Sequence, residues 1–171
     1  MPFRLSILRS GVSSLLLLVL AGCITHYGFT GGGLPENIHT MAILPFENET
    51  PSPEITRELF DAMRREMQPR LGVRDAPQAR ADALVRGIIH TYDIDVPVGF
   101  SGNQTNPTAS RRRLQLTVDV QIIDQASGKT IFERKSLRGE GEYGERDEAG
   151  GRREAIKRIV NDVIEGAQSQ W

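Results

Sequence analysis

The segment from Leu114 to Ile123 alternates between apolar and polar side chains, and this pattern limits the possible folds more than any other feature. In an extended chain, five apolar residues lie on one side: Leu114, Leu116, Val118, Val120 and Ile122. The polar residues between them face the other way. A strand with one apolar face and one hydrated face belongs to a sheet that is covered on one side only.

Two segments have the helical periodicity needed to supply that cover. Ser52 is a good N-cap residue, Pro53 suits the first helical position, and Glu54 complements the helix dipole. Apolar residues then recur every four positions, at Ile55, Leu59, Met63 and Met67. A second helix is predicted from about residue 147 to residue 168, with an apolar stripe formed by Ile156, Ile159, Val160, Val163, Ile164 and Ala167.

The other segments suggest short strands and one hairpin. Residues 41–46 and 82–92 are typical of strands, and a turn at 124–129 leads into a returning strand over 130–140. We therefore predict an α+β fold. It is a two-layer sandwich in which two amphipathic helices pack on one face of a mixed or antiparallel sheet of about four strands. Residues 95–110, rich in Pro, Gly and Asn, are predicted to form a long irregular loop.

The N-terminus has the plan of a secretory signal peptide. Arg4 and Arg9 precede an apolar run that is too short to span a bilayer, and Leu20-Ala21-Gly22-Cys23 follows. This tetrapeptide resembles the lipobox of bacterial lipoproteins, in which the cysteine is acylated and becomes the first mature residue. We expect a signal peptide at 1–22, a lipidated flexible tether at 23–40 and a single α+β domain at 41–171. The acyl chains on Cys23 would attach the protein to a membrane.

Composition argues against several classes of function. The chain has 21 Lys and Arg against 22 Asp and Glu, so no basic excess points to nucleic acid. No catalytic or metal-ligand motif occurs, and the histidines His26, His39 and His90 are isolated in sequence. We therefore expect no enzymatic activity, no cofactor and no metal. A periplasmic hydrolase that uses Asp93 and Asp95 as paired carboxylates is a minority alternative.

Several segments together resemble the LptE-type lipopolysaccharide-assembly lipoproteins. They are Tyr27-Gly28-Phe29 with the glycine run at 31–33, the strand ending in Pro45-Phe46-Glu47-Asn48, the Pro53-Glu54 helix start, and residues 81–87. The resemblance implies two helices on a four-stranded sheet. It also implies a non-enzymatic protein that plugs the β-barrel LptD, helps it assemble and assists delivery of lipopolysaccharide to the outer leaflet.

The same resemblance implies a location and leaves one alternative open. Ile24, rather than an aspartate, follows Cys23, which implies a lipid-anchored protein on the periplasmic face of the Gram-negative outer membrane. The Pro-Phe-Glu-Asn strand also occurs in other envelope lipoproteins. A structural or secretion-channel lipoprotein, curli-secretion-like or flagellar-associated, is therefore the alternative.

Lipopolysaccharide is anionic, so a surface that binds it needs arginine or lysine. The candidates form two groups: Arg111, Arg112 and Arg113 before the alternating strand, and Arg134, Lys135 and Arg138 on the strand after it. If these two strands pair, we expect the two groups to lie near each other.

Overall fold

The computed structural model describes residues 33–101, 108–144 and 147–169. Cys23, the predicted signal peptide and most of the predicted tether lie outside these ranges. In chain order the elements are β1 (Thr40–Ile43), β2 (Glu47–Asn48), α1 (Pro53–Leu71), β3 (Arg74–Asp75), a 3₁₀ turn (Gln78–Arg80), β4 (Ala83–Ser101), β5 (Thr108–Asp124), β6 (Thr130–Tyr143) and α2 (Glu148–Ser169).

The described strands form one mixed sheet in the order β3-β1-β4-β5-β6, with β2 also beside β4. Strands β1, β2 and β3 make parallel pairs, and β4, β5 and β6 pair antiparallel. The sheet therefore has six described strands rather than the predicted four or so. The difference comes from β2 and β3, which are two residues long and too short to have a recognisable pattern.

The core lies between the sheet and the two helices. All five alternating residues of β5 are buried, as predicted, and so are the apolar stripes of both helices. These side chains form a single cluster with Phe132 of β6 and Val85 of β4. The sequence-based α+β class, with two helices on one face of a mixed sheet, is confirmed.

The N-terminus of α1 differs slightly from the prediction. Ser52 is the N-cap residue, but its side chain makes no capping hydrogen bond. Its carbonyl oxygen instead accepts a hydrogen bond from the Asn48 side-chain amide at 3.0 Å. At the other end the helix passes Pro69 and stops at Leu71, because Gly72 adopts a left-handed conformation with φ of 70°.

The predicted loop at 95–110 is largely wrong. Strand β4 continues to Ser101 and β5 begins at Thr108, so only residues 102–107 lie between them, outside the described ranges. The pairing shifts register between Asp93 and Val96 and again between Pro97 and Gly99. Such β-bulges accommodate proline and glycine in a strand, which explains why these loop-forming residues misled the prediction.

The side chain of Asp82 holds the start of β1 in place. Its Oδ2 accepts hydrogen bonds from the backbone N–H of His39 at 3.0 Å, and from the backbone N–H and the hydroxyl of Thr40, both at 2.8 Å. The hydroxyl bond first, and then the two backbone bonds, lower the pKa of Asp82. The neighbouring Ile38 is buried, so the chain already contacts the core before β1 begins.

Candidate functional site

The ribbon formed by β4 and β5 extends beyond the rest of the sheet. On one side, pairing of β4 with β1 and β2 ends at Ile89, and on the other β6 ends at Tyr143, opposite Arg112. The remaining part of the ribbon, residues 93–101 and 108–113, is called the arm below. Over much of its length the two strands of the arm pair only with each other.

The arm displays apolar side chains to solvent. Ile94 is 43% exposed, Val96 40% and Val98 36%, and these are the exposed large hydrophobic residues of the described part of the chain. Sequence reasoning missed this row because the segment was predicted to be a loop. Its β-branched residues were the available signal. A cluster of exposed apolar side chains usually marks a surface that binds another molecule.

Two arginines lie on the strand of the arm that pairs with this apolar segment. Val96 pairs directly with Arg113, and Gly99 pairs with Arg111. On the other side the Arg111 guanidinium lies 3.7 Å from Glu142, and Arg113 lies 3.4 Å from the same carboxylate. Arg113 also lies 3.5 Å from Glu140. These are surface ion pairs, and each contributes little to stability.

Arg112 differs from its neighbours. It pairs with the buried Tyr143 and is itself half-buried. Because side chains alternate along a strand, Arg112 points to the opposite face from Arg111 and Arg113. The arm therefore presents two cations, rather than three, on the face that carries Val96.

The second group of cations lies elsewhere on the sheet. On β6, Arg138 pairs with Thr117 and Arg134 pairs with Val120, while Lys135 lies 3.5 Å from Glu133. Thr117 lies four positions after Arg113 on β5, which is roughly 13 Å at the usual rise of a strand. Although β5 and β6 pair, their register keeps the two groups of cations apart.

A polar cluster on the open face of the sheet surrounds His90. Its Nδ1 lies 2.7 Å from Glu49 and its Nε2 lies 3.1 Å from Asp119. Asp119 also accepts a hydrogen bond of 2.7 Å from the backbone N–H of Ser136. Ser136 has a φ of 53° and lies in a register shift of β6 opposite Asp119. The bulge thus aims this N–H at the carboxylate.

The two carboxylates change the protonation of the histidine. The hydrogen bond to Glu49, followed by that to Asp119, raises the pKa of His90 above its usual 6.5. Burial would raise the pKa of Asp119, but the Ser136 N–H and His90 outweigh it and lower that pKa. The cluster is thus an ion network that favours a protonated histidine.

This network predicts a pH dependence of stability. Protonated His90 stabilises the fold fully below its unfolded pKa of about 6.5, and this contribution disappears as the pH rises through the raised folded pKa. The His90→Gln substitution should therefore destabilise the protein more at about pH 6 than at about pH 9, as measured by urea unfolding. His39→Gln, at an exposed position, is the matched control. An equal loss at both pH values would contradict the prediction.

The remaining candidates are less organised. Asp93 is exposed and pairs with Gln115, and the side chain of Asp95 lies outside the described part.

Within residues 33–101, 108–144 and 147–169, no group of three or more His, Cys, Asp or Glu residues is placed to hold a metal ion. Neither helix in these ranges combines the length and apolar character required to cross a bilayer.

Solved structures with a similar fold come from bacterial proteins. The PelC dodecamer of Paraburkholderia phytofirmans is 17% identical and superposes with a TM-score of 0.53, over 79% of this chain and 93% of PelC. The hypothetical protein CT253 of Chlamydia trachomatis is 12% identical with a TM-score of 0.53, over 78% of this chain and 97% of its own. At these identities the similarity establishes the fold alone.

The family comparison is more specific. A comparison with curated proteins gives no match. The family model of LptE, described as lipopolysaccharide-assembly, matches residues 38–167. This range begins at the buried Ile38, covers α1 and all the described strands, and ends two residues before the end of α2. The chain therefore belongs to the LptE family of lipopolysaccharide-assembly proteins.

Proposed function

We propose that this protein is a lipid-anchored outer-membrane lipoprotein that binds lipopolysaccharide through its arm and plugs an LptD-like β-barrel. The observation that carries the proposal is the arm, where Arg111 and Arg113 lie on the same ribbon as exposed Ile94, Val96 and Val98. The family match supports lipopolysaccharide assembly as the process that the arm serves.

Lipopolysaccharide is an amphiphile, and the arm offers both kinds of contact that an amphiphile needs. Arginine forms charge-assisted hydrogen bonds with phosphates, in a planar geometry that lysine cannot match. The β-branched side chains beside it can cover apolar acyl surface and gain hydrophobic free energy. The β6 group of Arg134, Lys135 and Arg138 has no comparable exposed apolar neighbours in the described part of the chain. We therefore assign lipid contact first to the arm.

A plug inside a barrel needs a rigid domain with a hydrated surface. The side of β5 that faces away from the helices carries Gln115, Thr117, Asp119 and Gln121, all partly exposed. This polar sheet face suits a water-filled lumen. Acylated Cys23 would anchor the domain to the periplasmic leaflet of the outer membrane, since two or three acyl chains give stable membrane attachment. The sequence carries Cys23 in the lipobox tetrapeptide at the end of the predicted signal peptide.

A secretion-channel or structural lipoprotein is the second candidate. PelC, whose fold is similar, is a dodecamer. A homo-oligomeric ring formed by this chain would favour that function over a one-to-one plug. The two functions therefore differ in the neighbours of the domain: copies of the same chain in a ring, or a single β-barrel around a plug.

Capture of the native protein from gently solubilised envelopes tests the proposal. We expect a C-terminally tagged chain to bring down one large barrel protein together with lipopolysaccharide. Mass spectrometry of the captured chain should find Cys23 as an acylated N-terminal residue. A Cys23→Ala variant is the control for attachment, and it should leave the membrane fraction. A ring of this chain alone, or a native chain with an unmodified thiol, would contradict the proposal.

A further inference from the structure

A groove of about 480 Å³ runs between the two helices, lined by residues of α1 and α2. Its apolar floor includes Ala62 of α1 with Ile156 and Val160 of α2. Both walls carry charged side chains. The groove extends along α1 from Glu58 to Arg70, which is roughly 18 Å of helix.

Polar contacts hold the two ends of the groove. At one end Arg152, which is largely buried, donates to Glu58 at 2.8 Å and to the Tyr92 hydroxyl at 3.2 Å. Glu58 and Tyr92 together raise the pKa of Arg152, so it stays charged. At the other end Arg70 donates to Asn161 at 2.6 Å. These contacts fix the spacing of the helices and neutralise Glu58.

The middle of the groove has unpaired positive charge. Arg65, Arg153 and Lys157 line it, are exposed, and make no hydrogen bond or ion pair with any described residue. Arg153 and Lys157 are four residues apart and share one face of α2, opposite Arg65 on α1. The remaining acids on the walls are Asp61 and Glu66. Arg152 also lies 3.1 Å from Glu148, so five cations face four acids and the groove keeps a positive excess of one charge.

We infer that this groove binds an acidic segment of a partner protein in an extended conformation. Its length accommodates about five or six extended residues. Alternate carboxylates can reach Arg65 on one wall and Arg153 or Lys157 on the other, while small apolar side chains contact the floor. An acyl chain fits less well, because it has no charge with which to pair Arg65, Arg153 and Lys157. This inference does not depend on lipid binding by the arm.

Fluorescence anisotropy with the full lipidated chain in neutral detergent tests the inference. The probe is a labelled octapeptide that alternates aspartate with alanine, and its twin carries asparagine in place of aspartate. We expect the aspartate peptide to bind about tenfold more tightly than its twin, and to weaken as salt is added. Substituting Arg65, Arg153 and Lys157 together with glutamine should reduce its affinity by about tenfold.

A matched variant separates the groove from net charge. Arg57, Arg74 and Arg80 are exposed and lie outside the groove, so their joint replacement with glutamine removes the same charge. This control should retain the affinity of the original chain. Equal binding of the two peptides, or an equal loss in both triple variants, would overturn the inference. So would a groove variant that loses binding only to phosphatidylglycerol vesicles, since that result would identify a lipid site.

Discussion

Replacing Gly141 with valine is expected to destabilise the domain by about 3 kcal/mol, a large part of the stability of a typical domain. The reason is the close approach of β6 to α2. A Cβ atom at Gly141 would overlap the carbonyl oxygen of Gly151, which belongs to the helix backbone. Backbone atoms cannot move aside as a flexible side chain can, so the helix itself would have to shift.

The contact continues along the same strand. A Cβ atom at Gly139 would overlap the carbonyl oxygen of Ala155 and lie 2.7 Å from Ile159. The two glycines therefore form a flat track on which α2 rests. If the helix moves outward at Gly141, the buried residues Ile156, Ile159 and Ile164 lose packing as well. The added side chain at Gly141 therefore overpacks one point of the contact and opens cavities farther along α2.

Chemical denaturation monitored by circular dichroism gives the free energy of unfolding for this test. Gly144→Val is the matched control, because a Cβ atom at Gly144 would have nothing within 4 Å. The control should change the unfolding free energy by less than about 0.5 kcal/mol. A Gly141→Val protein as stable as its control would mean that α2 does not lie on the glycine track.

Local patterns were sufficient to predict most of the architecture. The alternation from Leu114 to Ile122 identified β5 and its buried face, and the stripe from Ile156 to Ala167 identified α2. Each is a long, regular pattern whose period matches one type of secondary structure. Burial of one face of a strand and one stripe of each helix leaves few ways to arrange the layers.

The parts that sequence reasoning missed depend on contacts between distant segments. Pro97 and Gly99 looked like loop residues, but bulges place them within β4 opposite Arg112 and Arg111. The importance of Gly141 is apparent only when Gly151 is known to lie over it. Likewise, nothing near His90 in sequence indicates that Glu49 and Asp119 would flank its ring.

Only part of the candidate site could be predicted, because the rest also depends on contacts between distant segments. The residue type was chosen from chemistry, since an anionic lipid requires arginine or lysine. Which arginines share a face follows from register, and register placed Arg111 and Arg113 together and Arg112 on the other side. The apolar half of the proposed site, Ile94, Val96 and Val98, became recognisable only when the loop proved to be a ribbon.

Reversing the charge of Arg111 and Arg113 to glutamate is expected to weaken lipopolysaccharide binding by more than about 30-fold. Each basic residue near an anionic lipid surface contributes about 1 kcal/mol, so the loss of two attractions corresponds to that factor. Repulsion from the new carboxylates adds to the loss, and salt should reduce the difference. The measurement is the affinity of the purified protein for lipopolysaccharide at two salt concentrations.

The control uses the second cation group of the sheet. Arg134→Glu and Arg138→Glu make the same change of charge on β6, away from the apolar row. We expect this variant to bind within about threefold of the original chain. Because Glu140 and Glu142 would face the new acids of the arm variant, Arg111→Gln with Arg113→Gln serves as a gentler version, and the loss of its two attractions alone should weaken binding about 30-fold. Equal losses in the arm and β6 variants would mean that the arm gives no specific contact and that lipopolysaccharide responds to total charge alone.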